Sequence, residues 1–179
     1  EATHRLLDFR SLRMANDDLL ENINFASDPN AAVRAARATS LRDAPATKEA
    51  IASLVAIAEL FDGEDRSYLD AFGIGCTGKE SQVYAALRAQ AHPDPVQWKP
   101  AMAWIAWRLG APESVPDLVK RVKSTKHTLE QRTHSLTALA FIKHKVAMEA
   151  MVAIADDFDC ALTNEALLWC VKRMGNEWQ

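Results

Sequence analysis

The chain is 179 residues long and carries 21 Lys and Arg against 24 Asp and Glu, a formal net charge of −3, with 49% hydrophobic and 25% charged residues. That balance is ordinary for a globular domain, and 6 Gly with 7 Pro exclude collagen-like, linker-like and Pro/Gly-rich disordered chains. No apolar run reaches the ~20 residues of a membrane-spanning helix, and no basic, then apolar, then small-residue leader is read at the start, so neither membrane insertion nor a secretory signal is expected.

Apolar residues recur at helical spacing almost throughout, without a convincing alternating run of β-branched residues, so the expected class is all-α. Helices are predicted at about 3–13, 17–26, 29–42, 46–61, 66–73, 79–90, 97–109, 113–124, 129–142, 145–157 and 162–174. Asp28 before Pro29 reads as an N-cap followed by a proline at the first helical position. Ile51, Leu54, Val55, Ala58 and Phe61 line one face of the fourth helix. Thr77 with Glu80, and Thr128 with Gln131, read as capping boxes. Trp98, Met102, Ile105 and Leu109 form a second stripe, and Ala147, Ala150, Met151, Ile154 and Phe158 a third. Gly63, Gly110 and Gly175 stand just past apolar stripes, where a left-handed residue ends a helix.

Helix centres at Val33, Leu69, Ala103, Leu136 and Leu168 lie 36, 34, 33 and 32 residues apart, a near-constant period carrying two helices. Such hairpins cannot hide their apolar faces alone and stack to share one core. The stretch from Asp28 through Val33 and Arg34 to Ala36 resembles the D-P-x-x-x-V-R-x-x-A opening of a HEAT first helix. Leu109-Gly110-Ala111-Pro112-Glu113-Ser114-Val115-Pro116-Asp117-Leu118 resembles the turn into a HEAT second helix. The expected fold is an α-α superhelix, a HEAT-like solenoid of about five hairpins forming one domain over 1–179. Ala35, Ala36, Ala138 and Ala140 would let helices approach closely, and Arg34 would reach a carboxylate or a helix carboxyl end in the neighbouring repeat.

The stretch from Phe61 to Gly75 resembles a D-G-x-D-R-x-Y-L-x-A-x-G-I-G segment in the HEAT region of haem-binding, membrane-bound-dehydrogenase-type proteins of the planctomycete and verrucomicrobial kind. In that family the repeats join a sugar-dehydrogenase-like propeller to a cytochrome c-type domain. The close likeness covers roughly residues 30–90, and there is no C-x-x-C-H haem-attachment motif. The resemblance therefore implies a linker or scaffold role and an extracytoplasmic, periplasmic-type location, but not haem binding or dehydrogenase activity. Read physically, the segment is structural: Asp62, Asp65 and Arg66 would form ion pairs across a turn, Gly63 ends one helix and Asp65 caps the next. Gly73 and Gly75 end the next helix, while Tyr68 packs between repeats with its hydroxyl outward.

Binding candidates are few. Trp104, Trp107 and Arg108 crowd one short helix, the residue types that anchor protein interfaces. Lys120, Arg121, Lys123, Lys126, Arg132, Lys143 and Lys145 oppose only Glu130 between 119 and 145, a local excess that would suit an acidic partner or a nucleic-acid backbone. The sequence pI of about 6.0 argues against a nucleic-acid binder, although a nucleic-acid-binding HEAT-like protein of the DNA glycosylase type is the alternative. His127, His134 and His144 lack metalloprotease or zinc-finger ligand spacing, and Asp156-Asp157-Phe158-Asp159 reads as an exposed acidic turn. Cys170 is expected in the core, Cys76 and Cys160 at helix ends and exposed, with a Cys160–Cys170 bridge left open. No catalytic arrangement, cofactor or metal is expected. The sequence reads as a monomeric, non-catalytic scaffold whose partners are other proteins or flanking domains. Glu1 in place of an initiator Met, and Trp178 beyond the Gly175 stop, suggest a piece of a longer protein.

Overall fold

The computed structural model describes residues 25–175 and Trp178, so the helix expected at 3–13 and all but the last two residues of the one expected at 17–26 lie outside the described residues; those two, Phe25 and Ala26, stand in a 3-10 turn. Among the described residues there are nine α-helices and no strand. They are α1 (Ala31–Ser40), α2 (Lys48–Glu59), α3 (Arg66–Gly75), α4 (Glu80–Gln90), α5 (Pro100–Leu109), α6 (Val115–Lys123), α7 (Leu129–Phe141), α8 (Lys145–Ala155) and α9 (Thr163–Met174). Short 3-10 turns occupy Phe25–Ser27, Pro95–Gln97 and Pro112–Ser114. No helix among the described residues is long and apolar enough to cross a membrane. The chain divides into two compact units, one up to Val83 and one from Tyr84 onward.

In the first unit α1 packs against α3, with α2 beside both. Leu54, Val55, Ala58 and Phe61 are buried as their spacing predicts, joined by Val33, Leu69 and Phe72. The start of α1 differs from expectation. Asp28 accepts the Asn30 N–H at 2.8 Å, and Asn30 is the N-cap, accepting the Ala32 N–H at 2.9 Å. Pro29 therefore precedes the helix, because two successive polar caps move its start past the proline. Arg34 reaches the carboxyl end of α2, within its own expected hairpin and not in a neighbouring one, its Nη2 donating to Leu60 O at 3.5 Å. Its Nη1 donates to Asp28 O at 2.6 Å and its Nε to the Tyr68 hydroxyl at 3.1 Å.

Tyr68 is turned inward, not outward. Its hydroxyl donates to Ile57 O at 2.6 Å, and its ring stacks on Phe61 with centroids 5.9 Å apart. A buried phenol requires such partners, and burial pushes its pKa up. Asp65 caps α3 by accepting the Tyr68 N–H at 3.0 Å. The Asp62 carboxylate takes the N–H groups of Glu64 and Asp65 at 2.7 and 3.0 Å, so the turn is held by backbone hydrogen bonds to carboxylates.

Gly73 corrects the sequence reading, for it lies inside α3, whereas Gly75 is the last residue of that helix, as expected; both are buried. A Cβ on Gly75 would stand 2.2 Å from the Ala38 carbonyl oxygen and 3.1 Å from Leu54 Cδ2. The glycine thus also allows the close approach of α1 and α3, with Cys76 following as the C-cap. Lys79 then gathers the segments just past α1 and α3: buried, it donates from Nζ to Arg42 O at 2.9 Å and to Thr77 O at 3.1 Å. Thr77 makes no cap to α4; its hydroxyl donates back to Ile74 O at 2.8 Å.

In the second unit α6 pairs with α7 and α8 with α9, while α7 also meets α5 and α8. One core joins Leu118 and Val122 of α6, Leu136 and Leu139 of α7, Met151 and Ile154 of α8, and Ala166 and Cys170 of α9. The Thr128–Gln131 capping box is present, and Gly110 ends α5 at φ 58° in the left-handed region. Gly175 follows α9 at φ −83°, an ordinary right-handed residue instead of a left-handed stop. Trp178 does not trail away: its Nε1 donates to Ile142 O at 3.0 Å and its ring packs on the core. Phe158, assigned to the stripe of α8, lies beyond its end and is 88% exposed.

Candidate functional site

The Pro100 start and the Gly110 stop confine α5 to ten residues. That helix turns Ala103, Ile105, Ala106 and Leu109 inward and leaves Trp104, Trp107 and Arg108 half-buried. Trp104 and Trp107 meet edge to face with centroids 5.6 Å apart, since residues three apart are neighbours on a helix. His134 of α7 comes within 3.9 Å of the Trp104 centroid at 67° and 6.4 Å of Trp107. The result is a three-ring surface, of which the sequence reading had the two tryptophans but not the histidine. A long-range contact between helices has no local sequence signal. Trp107 also rests on the core, which fixes its orientation.

The basic residues do not form one exposed patch. Arg121 is 3% exposed and is corrected from a surface contact to an interior brace. Its Nη1 donates to Pro95 O at 2.6 Å and its Nε to Ser135 Oγ at 3.3 Å. Burial lowers its pKa below the usual guanidinium value. Lys120 pairs with Asp94 at 3.1 Å, Lys123 with Asp157 at 2.7 Å and Lys145 with Glu149 at 3.3 Å. Arg132 donates from Nε to Val122 O at 2.6 Å, satisfying a carbonyl in the last turn of α6. Lys126 is exposed. The salt bridges depress their carboxylates: Lys120 holds Asp94, and Lys123 holds Asp157, below the usual range.

A second cluster went unnoticed in the sequence. Asp117 Oδ2 accepts the Tyr84 hydroxyl at 2.6 Å and Arg88 Nε at 2.7 Å, while Arg88 Nη2 reaches Oδ1 at 3.2 Å. Arg88 and Arg121 both stand over the buried Trp98 ring, at 5.5 and 5.8 Å from its centroid. Burial and the neighbouring carboxylate drive the Tyr84 pKa far up. This network joins α4 to α6.

The three histidines are dispersed in role. His144 caps α8 by accepting the Val146 N–H, His127 bonds Gln131 at 3.1 Å, and His134 meets the tryptophans. Desolvation, then the Arg121 charge, lowers the His127 pKa. Among the described residues no group of three or more His, Cys, Asp and Glu side chains is arranged to hold a metal ion. Cys76 and Cys160 are buried, not exposed, and neither joins Cys170 in a disulfide. No family model matches the chain, and neither a curated protein nor a solved structure matches it.

Proposed function

We propose that the chain is a non-catalytic HEAT-like scaffold, an α-α superhelix of hairpins that offers α5 to a protein partner or to flanking domains of a longer protein. The observation that carries this reading is the half-buried surface of Trp104, Trp107 and Arg108 with His134 beneath it. Tryptophan and arginine dominate interface hot spots because they bring large area at small entropy cost, and here two rings are already held by packing. The pairing of α6 with α7 and of α8 with α9, each pair meeting the next, supports the solenoid reading. The likeness of Phe61–Gly75 to haem-binding, dehydrogenase-type proteins supports a parent of that kind and an extracytoplasmic setting. The scaffold itself takes no haem, nucleotide or metal.

A photo-crosslinking amino acid at position 104 of the full-length protein, expressed in its own cell, tests the reading. It should capture one protein or one flanking domain, and binding of that purified partner should fall at least tenfold with Trp107→Ala. Unchanged affinity in Trp107→Ala, with helicity retained, would remove α5 from the function. The DNA glycosylase-type alternative is less well supported, because Arg121 is interior and Lys120 and Lys123 face carboxylates. Salt-sensitive binding of duplex DNA would favour it.

A further inference from the structure

The turn between α6 and α7 is closed by a hydrogen-bond chain that leads inward from His127. The ring's Nδ1 lies 3.1 Å from Gln131 Oε1, which also accepts the Thr128 N–H at 3.0 Å in the capping box. One turn further on, Ser135 Oγ donates to Gln131 O at 3.1 Å and accepts from Arg121 Nε at 3.3 Å. The backbone donor fixes the Gln131 side-chain oxygen as an acceptor, so His127 must carry its proton on Nδ1. Its Nε2 then holds only a lone pair. That atom is shut from solvent although the ring is half-buried, and among the described residues no hydrogen-bond partner reaches it.

A proton on Nε2 would be an N–H with nothing to accept it, and it would add charge where charge is already present. Of the charges that bear on the ring, Arg121 of α6 and Arg132 of α7 disfavour the imidazolium, and Asp94, just ahead of the 3-10 turn before α5, favours it. Both arginines are tied in place, Arg121 Nη1 to Pro95 O and Arg132 Nε to Val122 O, each at 2.6 Å. Asp94 is itself engaged by Lys120 at 3.1 Å. We propose that His127 is a proton-operated latch: neutral, it closes the α6–α7 turn through Gln131; protonated, it leaves the interior and releases the first turn of α7. Desolvation and the Arg121 charge hold the His127 pKa down in the closed turn, so the closed form binds fewer protons than the open one. Its stability is complete above the ~6.5 of a free imidazole and is lost as pH falls from there toward the lowered value. The latch is independent of the α5 surface.

Nitrogen-15 and amide-exchange NMR of the whole chain, between about pH 7.5 and 5, test it. His127 should hold its proton on Nδ1 at neutral pH and titrate below ~6.5. The Gln131 amide donates to Thr128 Oγ1 at 3.2 Å and reports the closed turn. Corrected for its intrinsic rate, its exchange should rise about threefold or more over that range. His127→Gln keeps an N–H for Gln131 and cannot titrate, so the rise should vanish in it. A neutral ring protonated on Nε2, a titration at or above ~6.5, or a Gln131 amide indifferent to pH in the parent chain overturns the proposal. An equal rise in His127→Gln overturns it as well, because other groups would then open the turn.

Discussion

Replacing Gly75 by Ala isolates the close approach of α1 and α3 in the first unit. In an exposed helix interior this change would stabilise by about 1 kcal/mol, through the better helix propensity of alanine. Here the new methyl would lie 2.2 Å from the Ala38 carbonyl oxygen, 2.8 Å from its carbon and 3.1 Å from Leu54 Cδ2. The side chain of Leu54 can rotate, but the two nearer atoms are backbone of α1, so α1 and α3 must separate. Overpacking of this kind costs about 1–3 kcal/mol, and contact with backbone places the cost at the upper end. After the propensity gain, a net loss of about 2 kcal/mol remains, equivalent to roughly 4–8 °C in Tm for a chain of this length. Urea and thermal unfolding followed by circular dichroism measure it. Gly175→Ala is the control, because nothing lies within 4 Å of its Cβ position and its φ is right-handed, so its change should stay within about 0.5 kcal/mol. A Gly75→Ala protein as stable as the parent would refute the packing argument.

Other consequences concern protons and the buried network. The chain has 2 tyrosines, Tyr68 and Tyr84, both with raised pKa, so absorbance at 295 nm should show no phenolate step near pH 10 in the folded protein. In guanidinium both should titrate near ~10. The stability these phenols contribute is full below about pH 10 and is lost as pH rises toward their folded values, so alkaline unfolding should accompany ionisation. Asp117→Ala strands the Tyr84 hydroxyl and the Arg88 guanidinium and should cost about 2 kcal/mol, while bringing the Tyr84 titration closer to 10. A loss under about 0.5 kcal/mol would show the network to be incidental. At the acid end, Asp62, Asp94 and Asp157 have depressed pKa values, Asp62 through the Asp65 and Glu64 N–H groups. Their contribution is present above the ordinary carboxylate pKa of about 4 and disappears as pH falls through the folded values. Tm should therefore decline as pH drops below about 4; an unchanged Tm at pH 3 would contradict the pairing.

Much of the helical plan was legible because its signals are local. Thr128 with Gln131, Asp65 and Gly110 act within a turn of where they stand, and the stripe at Leu54, Val55, Ala58 and Phe61 needs only the period of the helix. The failures are equally physical. Asp28-Pro29 and Asn30 compete to begin α1, and only the hydrogen bonds show that Asn30 wins. Of the candidate surface, Trp104 and Trp107 were visible as neighbours on one helix, whereas His134 arrives from α7.

The amino-acid sequence by itself determined the helical class, the approximate bounds of the helices and those caps that act within one turn, at Thr128 and Gly110, since each depends on residues within a few positions of one another. Tertiary structure alone decided which residues meet across helices. It turned Arg121 from a surface cation into a brace and Leu168 from a core residue into an exposed one, and it made Gly75, the last residue of its helix, a packing contact as well. Those outcomes depend on the distance and rotation between helices, which the summed packing of many side chains sets and no local pattern encodes.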